Sequence, residues 1–176
     1  MTVGLRLPPH HPRGAQAEHA VVGDPWTGVE KVKVRHKVRV LLLDGDHLVL
    51  LRRGWPGGEP YWTTVGGSVE PSDADLEAAL RREAMEEIGA TIGPLTQLLT
   101  VIETGGAVTV TQHYFLADLL EMRLDRRDGP AFVTPDTGAF EPVRVPLRAT
   151  TVTALGLQPP ELTAYVLEHL EAWRTR

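Results

Sequence analysis

The chain has 176 residues, with 18 Lys and Arg against 23 Asp and Glu, and therefore a formal net charge of −5 at pH 7. This length suits one domain with its own core, and 42% hydrophobic and 23% charged residues exclude a wholly disordered or fibrous chain. The acidic balance argues against a protein that coats a nucleic-acid polymer by neutralising its phosphates. The absence of cysteine excludes disulfides, thiolate nucleophiles and sulfur-ligated zinc.

The N-terminal segment differs in composition from the rest of the chain. Residues 1–30 are punctuated by Pro and Gly and are predicted to form an extended arm, followed by one domain over residues 31–176. No apolar run approaches the roughly eighteen residues of a membrane span, and the first residues lack the apolar stretch of a signal peptide. We therefore expect no membrane association and a cytoplasmic location. The oligomeric state stays open, a homodimer included.

Strand patterns begin after the arm. Apolar patterns predict strands over residues 33–43 and 47–52, joined by a turn at Asp44-Gly45-Asp46. Residues 53–60 contain Gly and Pro and are predicted to form a loop. Residues 61–65 then predict a short strand that ends at a pair of glycines.

The central helix is the clearest local prediction. Residues 74–88 lack Gly and Pro and are dominated by Ala, Leu, Glu and Arg, which are strong helix formers. Asp73 or Ser72 is expected to cap the N-terminus, and Gly89 to end the helix. The residues that form its apolar stripe are Leu76, Ala79, Leu80, Ala84 and Ile88.

The second half of the chain predicts more strands and a closing helix. Residues 95–103 and 108–119 read as strands, and residues 125–142 as a loop. A brief strand is predicted over residues 143–145 and an amphipathic helix over residues 160–173. Strands with one central and one terminal helix favour an α/β fold, in which helices cover both faces of a mixed β-sheet.

Acidic residues converge at the end of the central helix. Glu83, Glu86 and Glu87 have i, i+3, i+4 spacing and share one side of the helix, where their charges repel. A divalent cation would reverse this effect, and carboxylate oxygens suit Mg²⁺ or Mn²⁺. Arg82 could orient a carboxylate, and Gly66-Gly67 would let the backbone approach an ion or phosphate closely. A solvated surface helix is the alternative, and the helix alone does not decide between them.

The order of residues around this cluster resembles a known motif. From Gly67 to Ala90 the chain is similar to the motif of the Nudix (MutT-like) hydrolase family, G-x5-E-x7-R-E-U-x-E-E-x-G-U, in which U is usually a bulky aliphatic residue. Residues 82–90 match every charged position of the second half, although Ala occupies both U positions.

The first half of the motif departs from the family pattern. Ala74 stands where the first Glu is expected, and the segment from Gly67 to Arg82 is one residue longer than the consensus. A one-residue insertion, with Asp73 in place of that Glu, is the simplest explanation. Val65 replaces the Pro that usually precedes the glycines.

The resemblance implies a fold, a reaction and a cofactor. It implies a Nudix-type α/β/α sandwich with a mixed β-sheet. It also implies a hydrolase that uses Mg²⁺ or Mn²⁺ to cleave a nucleoside diphosphate linked to another moiety, by water attack on phosphorus. A nucleoside triphosphate, ADP-ribose or a nucleotide sugar would fit this description. The partner is then a small nucleotide, not a nucleic-acid polymer.

The resemblance also assigns roles by position. Glu86 and Glu87 are expected to be the principal metal ligands, and Glu83 to bind metal or act as general base. The carbonyl of Gly67 is a further expected ligand, and Arg82 is expected to orient Glu83.

Several residues outside the motif are weaker candidates. Arg52 and Arg53 could meet substrate phosphates and Trp62 could stack on a base, although ordinary packing or solvent exposure explains such residues as well. Asp136 or Glu141 could supply a late-loop acid. The alternative function is a catalytically silent Nudix-fold module that binds a nucleotide or a protein. Loss of a helix glutamate would favour that alternative, and none is lost.

Overall fold

The computed structural model describes residues 2–6, 33–54, 59, 61–105, 107–129 and 139–175, without the side chains of residues 2–6, 139 and 140. The helices and strands, in chain order, are β1 (Thr2–Arg6), β2 (Lys33–Asp44), β3 (His47–Gly54), β4 (Tyr61–Thr63), α1 (Leu76–Ile88), β5 (Ala90–Ile92), β6 (Thr96–Gly105), β7 (Val108–Met122), a 3₁₀ turn (Leu124–Arg126), β8 (Ala139–Pro146), α2 (Ala149–Leu155) and α3 (Pro160–Arg174).

The strands form a mixed sheet, as predicted. Its main order is β1-β6-β7-β2-β3-β4, with β5 paired to β7 and β8 paired to β3. The long β2–β7 pair is parallel. The other strand pairs are antiparallel.

Two apolar clusters lie on opposite faces of the sheet. Alternate residues of β2 divide between them: Val40 and Leu42 join the cluster that includes the buried face of α1, whereas Leu41 and Leu43 join the cluster that includes α2 and α3. This division follows from the two-residue period of a strand. The predicted α/β/α sandwich is therefore confirmed.

A gap between β2 and β3 positions the glycine pair. The two strands pair only from Leu42 to Asp44 with His47 to Val49. Towards the N-terminus of β2, the segment after β4 takes the place of β3 beside β2, through the bridges Val40–Val65 and Lys37–Ser68. The glycine pair is therefore held beside a central strand rather than on a free loop.

The central helix ends where predicted but begins differently. Gly89 has φ 60°, in the left-handed region, and terminates α1. The N-cap is Asp75, whose carboxylate accepts the N–H of Ala78 at 2.7 Å. The expectation of Asp73 or Ser72 as the cap was therefore wrong, because the Asp73 carboxylate is bound to Arg82 instead.

Other element boundaries were partly missed. The short elements β5 and α2 were not predicted, and β8 is longer than the predicted strand at residues 143–145. Thr2–Arg6 of the predicted arm form a strand against β6, and residues 7–30 lie outside the described residues. In the part of the chain that the structure describes, every helix is too short or too polar to traverse a lipid bilayer.

A histidine pair on β2 and β7 generates a prediction about pH. His36 Nδ1 lies 3.1 Å from His113 Nε2, and the hydroxyl of Thr100 lies 3.5 Å from His113 Nδ1. Burial and the neighbouring His36 lower the pKa of His113 to about 4. An unfolded histidine has a pKa of about 6.5, so the unfolded chain binds more protons between pH 6.5 and 4. This site therefore loses stability as the pH falls through that window.

We expect His113→Gln to flatten that part of the pH dependence. Urea midpoints at pH 7 and pH 5 should differ less in the variant than in the natural chain. His47→Gln, at the half-buried first residue of β3 and outside this histidine pair, is the matched control and should retain the natural difference. An unchanged difference in His113→Gln would contradict the assignment.

Candidate active site

Arg82 is the centre of an ion-pair network. Its Nε and Nη2 atoms bind the two carboxylate oxygens of Asp73, each at 3.0 Å, and Nη2 also donates to the carbonyl of Ser68 at 2.9 Å. On the other side, Nη1 lies 3.2 Å from carboxylate oxygens of Glu83 and Glu86. One guanidinium therefore ties the loop before α1 to the acidic turn, the C-terminal part of α1 that carries Glu83, Glu86 and Glu87.

Asp73 is fixed more tightly than a surface acid. Its side chain is 5% exposed, and it also accepts the N–H of Glu70 at 2.8 Å. The hydrogen bond from Arg82 lowers the pKa of Asp73, and the same bond raises the pKa of Arg82. Asp73 thus provides a carboxylate partner for Arg82, although the segment from Gly67 to Arg82 is one residue longer than in the family motif.

Glu87 is buried beside the glycine pair. One carboxylate oxygen accepts the N–H of Gly66 at 2.8 Å, and the other accepts Arg53 Nη2 at 3.1 Å. Burial raises the pKa of Glu87 to about 7, although Gly66, Arg53 and Arg39 favour the charged form. A nearby cation would therefore strengthen the ionised state of this carboxyl.

Glu83 lies directly against the second glycine. A Cβ at Gly67 would come within 2.3 Å of Glu83 Oε1, so a larger residue here would displace the Glu83 carboxylate from its present position. Burial raises the pKa of Glu83, and Arg82 acts in the opposite direction. The carbonyl of Gly67, which accepts the N–H of Val38 at 3.0 Å, belongs to the same backbone segment.

The oxygen atoms in this site are of the chemical type that binds a hard divalent cation. It combines three glutamate carboxylates with a backbone carbonyl, and each carboxylate oxygen that accepts one hydrogen bond keeps a second lone pair. As the side chains lie, no group of three or more His, Asp or Glu within the described ranges is arranged to hold a metal ion. Glu86 and Glu87 are instead paired with Arg82 and Arg53.

The candidate residues outside the motif lie in different parts of the structure. Arg53 joins the site through Glu87. Arg52 and Glu141 form an exposed pair at 3.8 Å. Trp62 packs against the cluster that includes α3. Asp136 lies outside the described residues.

Arg39 was missed by sequence reasoning. Its guanidinium donates to the carbonyls of Thr64 and Gly66 and so secures the segment that carries the glycine pair. The available signal was a cation between Val38 and Val40, in the middle of an apolar strand. A charge there must find a polar partner, but the strand pattern does not show which one.

Comparisons with known proteins agree with this arrangement. A family model described as NUDIX domain matches residues 33–161. A search of curated proteins found no match.

Solved structures share the fold at low sequence identity. A NUDIX hydrolase from Nitrosomonas europaea has a TM-score of 0.60 and 19% identity, over 81% of this chain and 91% of that chain. A structure described as ADP compounds hydrolase has a TM-score of 0.57 and 19% identity, over 80% and 75%. A MutT structure from work on Aliivibrio salmonicida and Vibrio cholerae has a TM-score of 0.54 and 18% identity, over 80% and 99%.

The fold and the motif together define a class of protein. The match covers most of the chain, including strands β2 to β8, α1 and the whole acidic turn. The chain belongs to the NUDIX family and is a Nudix hydrolase.

The Arg82 network generates a testable prediction. Asp73→Asn removes the charge that binds both Nε and Nη2 of Arg82, so the acidic turn should lose its fixed orientation. We expect turnover to fall about 10- to 100-fold, the usual effect of removing a partner that orients a ligand. Turnover is measured on the best substrate from a nucleotide panel.

Asp75→Asn is the matched control for that variant. It removes the same charge two residues away, and Asn caps a helix about as well as Asp. Its turnover and melting temperature should both stay near the natural values. Equal turnover in the Asp73 and Asp75 variants would show that Asp73 does not orient the site.

Proposed function

We propose that this chain is a divalent-cation-dependent pyrophosphohydrolase of small nucleotides. It would cleave a nucleoside diphosphate linked to another moiety, by attack of water on phosphorus. The observation that supports this most directly is the acidic turn of α1, which Arg82 holds against Gly67. The like charges of three glutamates on one side of a helix repel one another; Arg82 and Arg53 offset part of that repulsion, and a divalent cation would offset more of it.

The cation would be Mg²⁺ or Mn²⁺. Glu83, Glu86, Glu87 and the carbonyl of Gly67 would hold it, and Glu87 is already anchored by the N–H of Gly66. A bound ion of this kind neutralises charge on the phosphates and lowers the pKa of a coordinated water.

The remaining residues have separate roles in the proposal. Glu83 would bind the cation or serve as the proton acceptor for the attacking water, and Arg82 favours its ionised form. Arg82 positions Glu83 and Glu86 and does not need to contact the substrate. Arg53 keeps Glu87 oriented and adds positive charge beside the reacting phosphates.

The substrate class rests on the family and on the neighbours' descriptions. Two of the neighbouring structures are described as an ADP compounds hydrolase and as MutT. A nucleoside triphosphate, ADP-ribose or a nucleotide sugar therefore heads the panel of compounds to assay. Release of phosphate, pyrophosphate or nucleoside monophosphate identifies the bond that is cleaved.

Charge-neutral variants test the assignment of the glutamates. Glu86→Gln or Glu87→Gln should reduce turnover by about 100-fold or more, because each removes a charged ligand but keeps the side-chain size. Both variants should still fold, which the near-ultraviolet circular dichroism spectrum checks.

Glu77→Gln is the control on the same helix. Glu77 is exposed and pairs with Arg81 at 2.7 Å, away from the acidic turn, so this variant should keep its turnover. Natural turnover in both the Glu86 and Glu87 variants would remove the catalytic assignment. Tight binding of one nucleotide with no turnover of any would favour the silent module instead.

A further inference from the structure

A polar pocket, the Lys37 pocket, lies against β2 on the face of the sheet opposite α1 and is linked to the acidic turn through Arg39. It has a volume of about 250 Å³, and its charged lining residues are Lys37, Arg39 and Glu103. Sites that enclose a whole small-molecule ligand usually measure about 300–1,000 Å³. This pocket is therefore suited to one group of a larger molecule.

The pocket and the acidic turn share Gly66. Arg39 lines the pocket and donates to the carbonyl of Gly66, whereas the N–H of Gly66 donates to Glu87. Arg39 is also close enough to Glu83 and Glu87 to lower the pKa of each. A molecule bound at the acidic turn could therefore extend one of its groups into the pocket.

The polar side chains of this pocket differ in the hydrogen-bond and ion-pair partners that they have. Gln112 donates to Glu103 at 3.0 Å, and Glu103 keeps its negative charge in the same pocket as Lys37. Arg39 is bound only to neutral carbonyls in the contacts described. Among the residues that the structure describes, none forms a hydrogen bond or an ion pair with the half-buried ammonium of Lys37.

The unmatched charge in the pocket is positive. Lys37 and Arg39 occupy alternate positions of β2 and face the same side of the sheet. Arg35, two residues earlier, continues this row. Burial together with Arg39 lowers the pKa of Lys37, although Glu103 acts in the opposite direction. Two partly desolvated cations outnumber the one carboxylate of Glu103, so a further anion would be stabilised in this pocket.

We infer that the Lys37 pocket binds a phosphate group carried by the substrate, separate from the diphosphate held at the acidic turn. Lys37 is then a residue that determines specificity, in favour of nucleotides with an additional phosphate. The ammonium of Lys37 and the guanidinium of Arg39 would donate to the phosphate oxygens. That the phosphate belongs to the substrate rests on the proposed function. That the pocket binds an anion does not depend on that function.

Inorganic phosphate is the first probe, because it requires no turnover. The ¹⁵N-labelled full-length protein is titrated with phosphate in the absence of divalent metal. We expect saturable shifts of the Lys37 and Arg39 amides and of the Gln112 side-chain amide. Lys37→Met should weaken binding by about tenfold, the effect of losing one charge-assisted hydrogen bond.

Lys33→Met is the matched control for the titration. Lys33 lies on the same strand and the same side of the sheet, is exposed, and carries the same charge. It should keep the natural affinity. Equal weakening in both variants would indicate diffuse electrostatic attraction and would overturn the inference, as would the absence of saturable shifts at these three residues. Melting temperatures establish that both variants fold.

A matched substrate pair then separates this inference from the proposed function. NADH and NADPH share a cleavable diphosphate and differ by one phosphate. The natural enzyme should have a lower KM for NADPH, and Lys37→Met should raise that KM about tenfold while the NADH constants stay the same. If both are hydrolysed and Lys37→Met does not change the ratio of their KM values, only the specificity inference is overturned. If neither is cleaved, the proposed function is weakened and the phosphate titration alone decides whether the anion site exists.

Discussion

The site depends on the contacts of one guanidinium group. Arg82 binds Asp73 with two parallel hydrogen bonds and reaches the carboxylates of Glu83 and Glu86 with its remaining nitrogen. A lysine could not make these contacts together, because it lacks the planar, forked set of donors. The same group therefore anchors the loop, offsets repulsion within the acidic turn and sets the direction of two carboxylates.

The sheet supplies the second half of the site. The divergence of β2 and β3 lets the segment after β4 pair with a central strand, so the position of Gly67 is set by backbone hydrogen bonds. Gly66, with φ +132°, would place a Cβ 2.1 Å from the carbonyl oxygen of Val38. Its N–H orients Glu87 and its carbonyl orients Arg39, which connects the acidic turn to the Lys37 pocket.

The predictable part of the structure is the part set by local pattern. The period of β2, the glycine that ends α1 and the spacing of Glu83, Glu86 and Glu87 are all properties of neighbouring residues, and each matched the structure. The roles of Asp73 and Asp75 could not be separated in this way. Either acid can cap a helix, and a contact with Arg82, nine residues away, decides which one does.

Features that depend on residues distant in the sequence, and very short elements, were harder to predict. Arg39 reaches Gly66 across 27 residues, and its partner appears only once β2 lies beside that segment. The elements β5 and α2 have three and seven residues, too short for periodicity to distinguish them from loops. The charged residues of the motif were therefore found from the sequence, whereas several of the contacts that position them required the fold.

The central claim is that Arg82 orients the acidic turn to accept a divalent cation. Anomalous diffraction from crystals soaked in Mn²⁺ tests this most directly. We predict one or more peaks bounded by the carboxylates of Glu83, Glu86 and Glu87 and the carbonyl of Gly67, with Asp73 still bound to Arg82. A peak only elsewhere, or no peak among these four groups at saturating Mn²⁺, would contradict the account.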